Sequence, residues 1–475
     1  MKRHNYNKNT NFVLYIIFSI VVYSTILFST NHTNFKQQKW KKIYTTKDIS
    51  KNTLSHKIYG LNNKQLDMFI LGKSFFTIPW VQAPSSTTAR DGLGPLFNSN
   101  TCISCHPNNS KGTLFKNNYK ISNNYVSKLS IPSNNSIYHK NIIQSLGIIP
   151  DPIYGEQINT KSIYGLKPEA KNIIKYENIT LTYSDGTNIT LRKPLKGIKN
   201  QLTNLNYGNI SKNIIIANRL APALIGLGLL DQLKDEDILK NEDINDSNND
   251  GISGKANIIY DKIQKRFRVG KYTAKASSYS IFHQTAIAAF NDMGLTNIFF
   301  QKENCNENIK CLKIINNIKS NQKNDFDLTT FRLKAISFYL KGLKIPVSKI
   351  TEKKGEKLFN KIGCIKCHIS SFKLSNGYII KPFSDMLLHD MGDELSDGRV
   401  EFKANENEFR TTPLWGIGKH KFILNRSIEF LHDGRARSIE EAILWHGGEA
   451  KKSRDHFMKL SKYNRDDLIK YINQL

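Results

Sequence analysis

Two short stretches hold residue types able to do redox chemistry: "TCISCH" at 101–106 and "GCIKCH" at 363–368. In each, two thiols three positions apart are followed directly by a histidine. The sets are Cys102, Cys105 and His106, then Cys364, Cys367 and His368. Thiols one helical turn apart can add to the two vinyl groups of a haem, and the next imidazole then lies under the iron. The spelling predicts two covalently attached haem c groups, with His106 and His368 as proximal iron ligands. The competing use of four thiols is a tetrahedral zinc site. A histidine after both pairs, an N-terminus of exported character and a helical stretch, "KGEKLFNKI", ahead of the second pair all weigh against zinc.

Such a motif needs a frame, and the sequence offers one twice. "DDLIKYINQL" closes the chain with Leu468, Tyr471, Ile472 and Leu475 on one helical face, and "FRLKAISFYLKGLKIP" places Phe331, Ala335, Phe338 and Tyr339 likewise before stopping at Pro346. "RLAPALIGLG" from Arg219 resembles "RTTPLWGIG" from Arg410. The chain therefore reads as a distant internal duplication, with a compact second copy over 347–475 and a first copy over 61–346 that carries long insertions. One insertion, "ENITLTYSDGTNITLRKP", alternates Ile179, Leu181 and Tyr183, turns at Asp185-Gly186 and resumes at Ile189 and Leu191, a β-hairpin pattern. "GEKLFNKIGCIKCH" and "LIKYINQL" resemble the opening and closing helices of a class I cytochrome c domain, and the resemblance implies a mainly α fold with two cytochrome c-like domains. Residues 31–60 read as a polar tether.

Length and composition bound the function. The 475 residues suffice for two or three domains, and 39% apolar content excludes a disordered chain. The net charge of +29 comes from scattered lysines and no nucleic-acid module is legible, so nucleic acid is excluded as a partner while an acidic redox protein is not. Lys2, Arg3 and Lys8 precede an apolar run from Phe12 to Phe28, which reads as an export signal or an uncleaved inner-membrane anchor within residues 1–30 and places the rest of the chain in the periplasm. In that oxidising compartment Cys305 and Cys311 are expected to form a disulfide.

Five stretches together, "ARDGLGPLFNSNTCISCH", "DGISGKAN", "LLHDMG", "FRTTPLWGIG" and "FLHDGRARSIEEAILWHGGEA", resemble the di-haem oxidoreductase family over roughly residues 60–475. More distantly the pattern is similar to bacterial dihaem cytochrome c peroxidases and to the dihaem enzyme that matures methylamine dehydrogenase. The resemblance implies a six-coordinate electron-transfer haem at His368, fed by a small redox protein or a quinol-linked chain. It implies a haem at His106 with an accessible iron face that meets hydrogen peroxide or a similar small oxidant. His446 stands where the relatives carry the distal ligand of the second haem, with Met391 and His389 as competitors. His432 is expected beside that haem without ligating it, next to Asp433.

Peroxide cleavage also needs a base near the iron. Asp231 and Glu236, after "RLAPALIGLGLL", occupy the expected region, with helix capping or a surface position as the plainer alternatives. Tyr207 and Met293, the latter in "FNDMGL", which echoes "LLHDMG", are further candidates for that side. Arg219 and Arg410 could each fork to a haem propionate or form an ion pair. Trp80, Trp415 and Trp445 are candidate stepping stones or core. Asp246, Asn248, Asp250 and Gly251 copy the first half of a calcium loop, but Asn257 stands where its bidentate glutamate belongs, so calcium would need other ligands. A dihaem electron carrier without a substrate, and an oxygenase or protein-modifying enzyme, are the alternative functions.

Overall fold

A computed structural model describes residues 36–115, 121–319 and 326–475, so the signal or anchor expected over 1–30 lies outside the described residues. Helix α1 (Asn63–Thr77) starts at Asn62, whose side chain accepts the Gln65 amide while the Gln65 side chain accepts the Asn62 amide. That reciprocal cap satisfies two amides that a helix start leaves unpaired. Phe69, Gly72, Phe75 and Phe76 form its buried face. Helix α2 (Ile281–Met293) begins at Ser280, and α3 (Thr330–Lys341) at Thr329, each with a side-chain oxygen accepting the amide three residues on. In the second half, α4 (Lys353–Lys361) and α5 (Lys462–Asn473) play the parts of α1 and α3.

The two helix pairs match residue by residue. A Cβ added at Gly72 would fall 1.9 Å from the Ala335 carbonyl oxygen, and one at Gly355 would fall 2.2 Å from that of Asp467. Four residues after each glycine, Phe76 meets Tyr339 at 5.3 Å and Phe359 meets Tyr471 at 5.4 Å between ring centres. The paired repeats match as well. Gly228 leaves room for the Lys341 carbonyl at the end of α3, and Gly418 for the Asn473 carbonyl at the end of α5. The repeats also touch, because the Trp415 indole lies where a side chain at Gly226 would stand.

The segments between the helices fold as small ladders. β1 (Tyr125–Ser130) and β4 (Ile215–Leu220) pair antiparallel from Tyr125↔Leu220 to Ser130↔Ile215. The expected hairpin forms from β2 (Tyr176–Thr182) and β3 (Asn188–Pro194). Every sheet among the described residues has two strands. The molecule is thus a helical frame with many short ladders, more strand than a mainly α fold implies, because its insertions are rich in Ile, Thr and Tyr. The hairpin clasps the second half: the Tyr183 hydroxyl donates to Glu440, and Arg465 pairs with Asp185 at 3.0 Å.

The tether expected over 31–60 is folded where it is described. Residues 36–44 are helical, Thr45–Thr46 pairs in parallel with Ile345–Pro346, and Tyr44 stacks on Tyr378 with Trp40 tilted against the same ring. Leu54 is 2% exposed. Two aromatics and a leucine among the lysines bury enough apolar surface to dock the segment. Cys305 and Cys311 are bonded, as expected, at 1.97 Å. Among the described residues no helix is long and apolar enough to cross a membrane.

Candidate functional site

At the first motif, Thr101 caps a one-turn helix over Cys102–Cys105, and the His106 amide donates to the Cys102 carbonyl at 3.1 Å. The His106 Nδ1 faces the Pro222 carbonyl at 2.8 Å. At the second motif the His368 amide donates to Cys364 at 3.0 Å, and its Nδ1 faces the Phe383 carbonyl at 2.8 Å. A carbonyl at Nδ1 fixes the proton there and leaves Nε2 with its lone pair free to ligate. Burial pushes both imidazoles down to about 4, so both are neutral at ordinary pH. The first carbonyl comes from the "RLAP" repeat. The second comes from a loop outside "RTTP", so the repeats match in packing but not in this contact.

The four motif thiols are not in disulfides, and burial pushes Cys102, Cys105 and Cys364 up to about 12, which favours neutral sulfur over thiolate. The four thiols do not converge on one point. Among the described residues the only group of three or more candidate metal-binding atoms is Cys367, Asp385 and His389. The zinc alternative therefore fails here. Neutral sulfurs, a free Nε2 and several stranded polar atoms fit a covalently held haem. Trp445 Nε1 and Thr411 Oγ1 are buried without a partner. Arg410 meets only the Thr273 and Thr411 carbonyls and the Met386 sulfur, with no carboxylate bridging it among the described residues. A propionate would supply what Arg410 lacks.

Arg219 differs. It pairs with Asp397 at 2.5 Å and Glu401 at 3.4 Å, and Lys275 adds a contact to Asp397 at 3.4 Å. It forms an ion pair between the halves, one of the two uses expected for this residue. His432 stacks on Phe409 at 4.2 Å, and its carbonyl accepts the Leu220 amide across the same junction.

His446 follows the short helix Ile439–Leu444, with Nδ1 facing the Ala442 carbonyl at 2.7 Å. It lies close enough to His368 for the two rings to interact electrostatically. His389 does not compete for the iron. Its Nε2 faces Asp385 at 2.8 Å and its Nδ1 faces Glu449 at 2.6 Å. Although burial opposes charge there, Asp385, Cys367 and Glu449 push His389 up to about 12.

Both proposed bases are engaged elsewhere. Glu236 is a surface residue, its side chain 63% exposed and paired with Lys234. Asp231 accepts the Tyr272 hydroxyl and the first amide of α2, and pairs with Lys341 at 2.6 Å. The Tyr207 hydroxyl donates to the Lys167 carbonyl, and Met293 is buried in apolar core. The calcium-like loop also turns inward. The Asp246 carboxylate accepts the Asp250 and Gly251 amides, and Asn248 accepts that of Asp250. Asp250 bridges to Lys366 between the second pair of thiols at 3.0 Å. A cleft of about 130 Å³ opens beside it, lined in part by Asp243, Asn248 and Asp250.

Sequence reasoning missed a polar group beside the first motif. The Asp292 carbonyl accepts the Asn98 and Ser99 amides just before Cys102, and its carboxylate accepts the Gln157 side-chain amide at 2.7 Å. The echo between "FNDMGL" and "LLHDMG" was the available signal, since His389 in the second copy also lies beside its motif, 3.7 Å from the Cys367 sulfur.

A family model described as "Di-haem oxidoreductase, putative peroxidase" matches residues 42–475. No curated protein matches the chain. Among solved structures, hydrazine synthase of Kuenenia stuttgartiensis, pressurized with 20 bar xenon, is similar over 31% of this chain and 55% of that one, at 21% identity and a TM-score of 0.21. The chain spans about half the length of that protein, and a likeness so slight carries no argument.

Proposed function

Because the chain belongs to the di-haem oxidoreductase family, we propose that it is an exported, peroxide-reducing enzyme with haem c attached at both motifs. Cys102, Cys105 and His106 would hold one group, and Cys364, Cys367 and His368 the other. The haems supply the redox step; the chain supplies ligation, positioning and proton management. Arg410 would bind a propionate. His446 would be the other ligand of the second group, a bis-histidine site that would supply electron transfer from a small redox protein or a quinol-linked chain. The group held at His106 would supply the reduction of hydrogen peroxide.

One observation carries this reading: matching hydrogen bonds at the two motif histidines are joined to unlike surroundings. His446 is within electrostatic reach of His368, whereas the Asp292 carboxylate and buried amides gather at the first motif. The test is electron paramagnetic resonance of the oxidised protein, purified from a host that attaches haem c, before and after peroxide. A high-spin signal consumed by peroxide and a low-spin signal lost in His446→Ala are expected. Two low-spin signals indifferent to peroxide would instead make the protein an electron carrier.

A further inference from the structure

Most buried polar groups in this molecule have partners, so stranded ones mark what is missing. Two stand together at the end of α2. Gln157 is 3% exposed, and its amide nitrogen donates to the Asn291 carbonyl at 3.0 Å and the Asp292 carboxylate at 2.7 Å. Its other atom, Oε1, is buried without a partner. Asn291 is 5% exposed, and its Nδ2 is likewise buried and unpartnered. A stranded acceptor, a stranded donor and a carboxylate thus lie within one hydrogen-bonded cluster.

The cluster is fixed to the first motif. The Asp292 carbonyl takes the Asn98 and Ser99 amides at 2.8 and 3.1 Å, and the Ser99 hydroxyl bonds to that of Ser104, between the two thiols. Asp292 is within electrostatic reach of both Cys102 and Cys105. Lys128 on β1, joined by a backbone bridge to Gln157, is within electrostatic reach of Asp292 and forms no salt bridge among the described residues.

Resting on the peroxide-reducing reading above, we propose that Gln157, Asn291 and Asp292 form the oxidant site of the first haem, with Asp292 as the base that moves the proton. Hydrogen peroxide suits the site because it both donates and accepts: an O–H can reach Gln157 Oε1 while Asn291 Nδ2 donates to an oxygen. The Asp292 carboxylate takes the proton from one peroxide oxygen and returns it to the other, which leaves as water when the O–O bond breaks. Two electrons from the redox donor and two protons from solvent complete the second water, so one peroxide yields two waters. Burial holds the Asp292 carboxyl above the ordinary range against the pull of Lys128 and Gln157, which suits a group that must both take and give a proton. In the second half the corresponding neighbourhood is filled: both His389 nitrogens have carboxylate partners.

The test uses the full chain with both haems confirmed by intact mass, in wild type, Asp292→Asn, Asp292→Glu and Gln157→Leu. Two rates are followed across pH by the high-spin signal: consumption by peroxide, and conversion by cyanide, which also enters as an acid and must lose its proton. Asp292→Asn should slow peroxide consumption about 100-fold or more and flatten its pH profile. It should slow cyanide binding in parallel, while Asp292→Glu restores part of both and Gln157→Leu shifts the profile. Peroxide and cyanide rates within about threefold of wild type, with an unchanged profile, would overturn the assignment while leaving the enzyme reading intact. A wild-type protein indifferent to peroxide would overturn that reading instead, and cyanide would then still report whether Asp292 serves the iron. If Asp292→Asn lost haem, the Glu and Leu variants would decide by the same two rates.

Discussion

The two halves of this molecule use one frame for two environments. In each, a glycine on the opening helix meets a carbonyl of the closing helix, a phenylalanine four residues later meets a tyrosine, and the motif histidine is oriented by a backbone carbonyl. What surrounds the histidines is not shared. His446 lies beside His368, whereas Gln157, Asn291 and Asp292 gather at the first motif. The difference teaches that the two halves share the contacts that would place a haem and differ in those that would decide what its iron meets.

The comparison can be broken most sharply at the paired arginines. Arg219→Ala would leave buried Asp397 to Lys275 and Glu401 to Arg399, at a cost of about 3 kcal/mol in denaturant titration. Arg410→Ala strands no acid, so its stability cost should stay below about 1 kcal/mol while the second haem changes potential. Equal losses from the two would show that the repeats are alike in charge as well as packing.

Next come the crossing glycines. Valine at Gly72 or at Gly355 drives a side chain onto a backbone carbonyl, and each should cost about 3 kcal/mol in thermal unfolding. If either half accepts valine, the match between the frames is wrong.

Acid should act like Arg219→Ala, more weakly. Burial raises the Asp397 carboxyl, but Arg219 and Lys275 outweigh it and hold the group at about 2, below its ordinary 3.8. A depressed carboxylate contributes stability that is present above the unfolded value and lost as pH falls through the folded one. About 2 kcal/mol should therefore vanish between roughly pH 4 and pH 2 in wild type, and less in Asp397→Asn.

The smallest effect concerns a feature of the first half alone. Changing both Cys305 and Cys311 to serine opens a six-residue loop and should cost about 2 kcal/mol, with the second haem's signal unchanged.

Local chemistry was legible in the sequence and distant chemistry was not. The thiol pairs, the Asp185-Gly186 hairpin and the Cys305–Cys311 bond each lie within a short stretch, where spacing alone decides geometry. The duplication was visible in "RLAPALIGLG" and "RTTPLWGIG", although not the glycine on α1 that matches Gly355. Arg219 and Arg410 looked alike because their partners, Asp397 and the Thr273 carbonyl, are far away in the chain. Glu236 was chosen by proximity to a repeat, and only the fold shows it on the surface. Gln157 and Asp292 are separated by 135 residues, and nothing in either stretch announces the other. The lysines around Trp40 disguised a docked segment as a tether.

That docked segment sets an order of assembly. Thr45 pairs with Ile345, so one of the earliest strands waits for a partner made about three hundred residues later, at the joint between the halves. Closing so wide a loop is slow. A ribosome-stalled chain ending before residue 345 would hold its first haem motif without the clasp, and the molecule would latch only when the joint emerges.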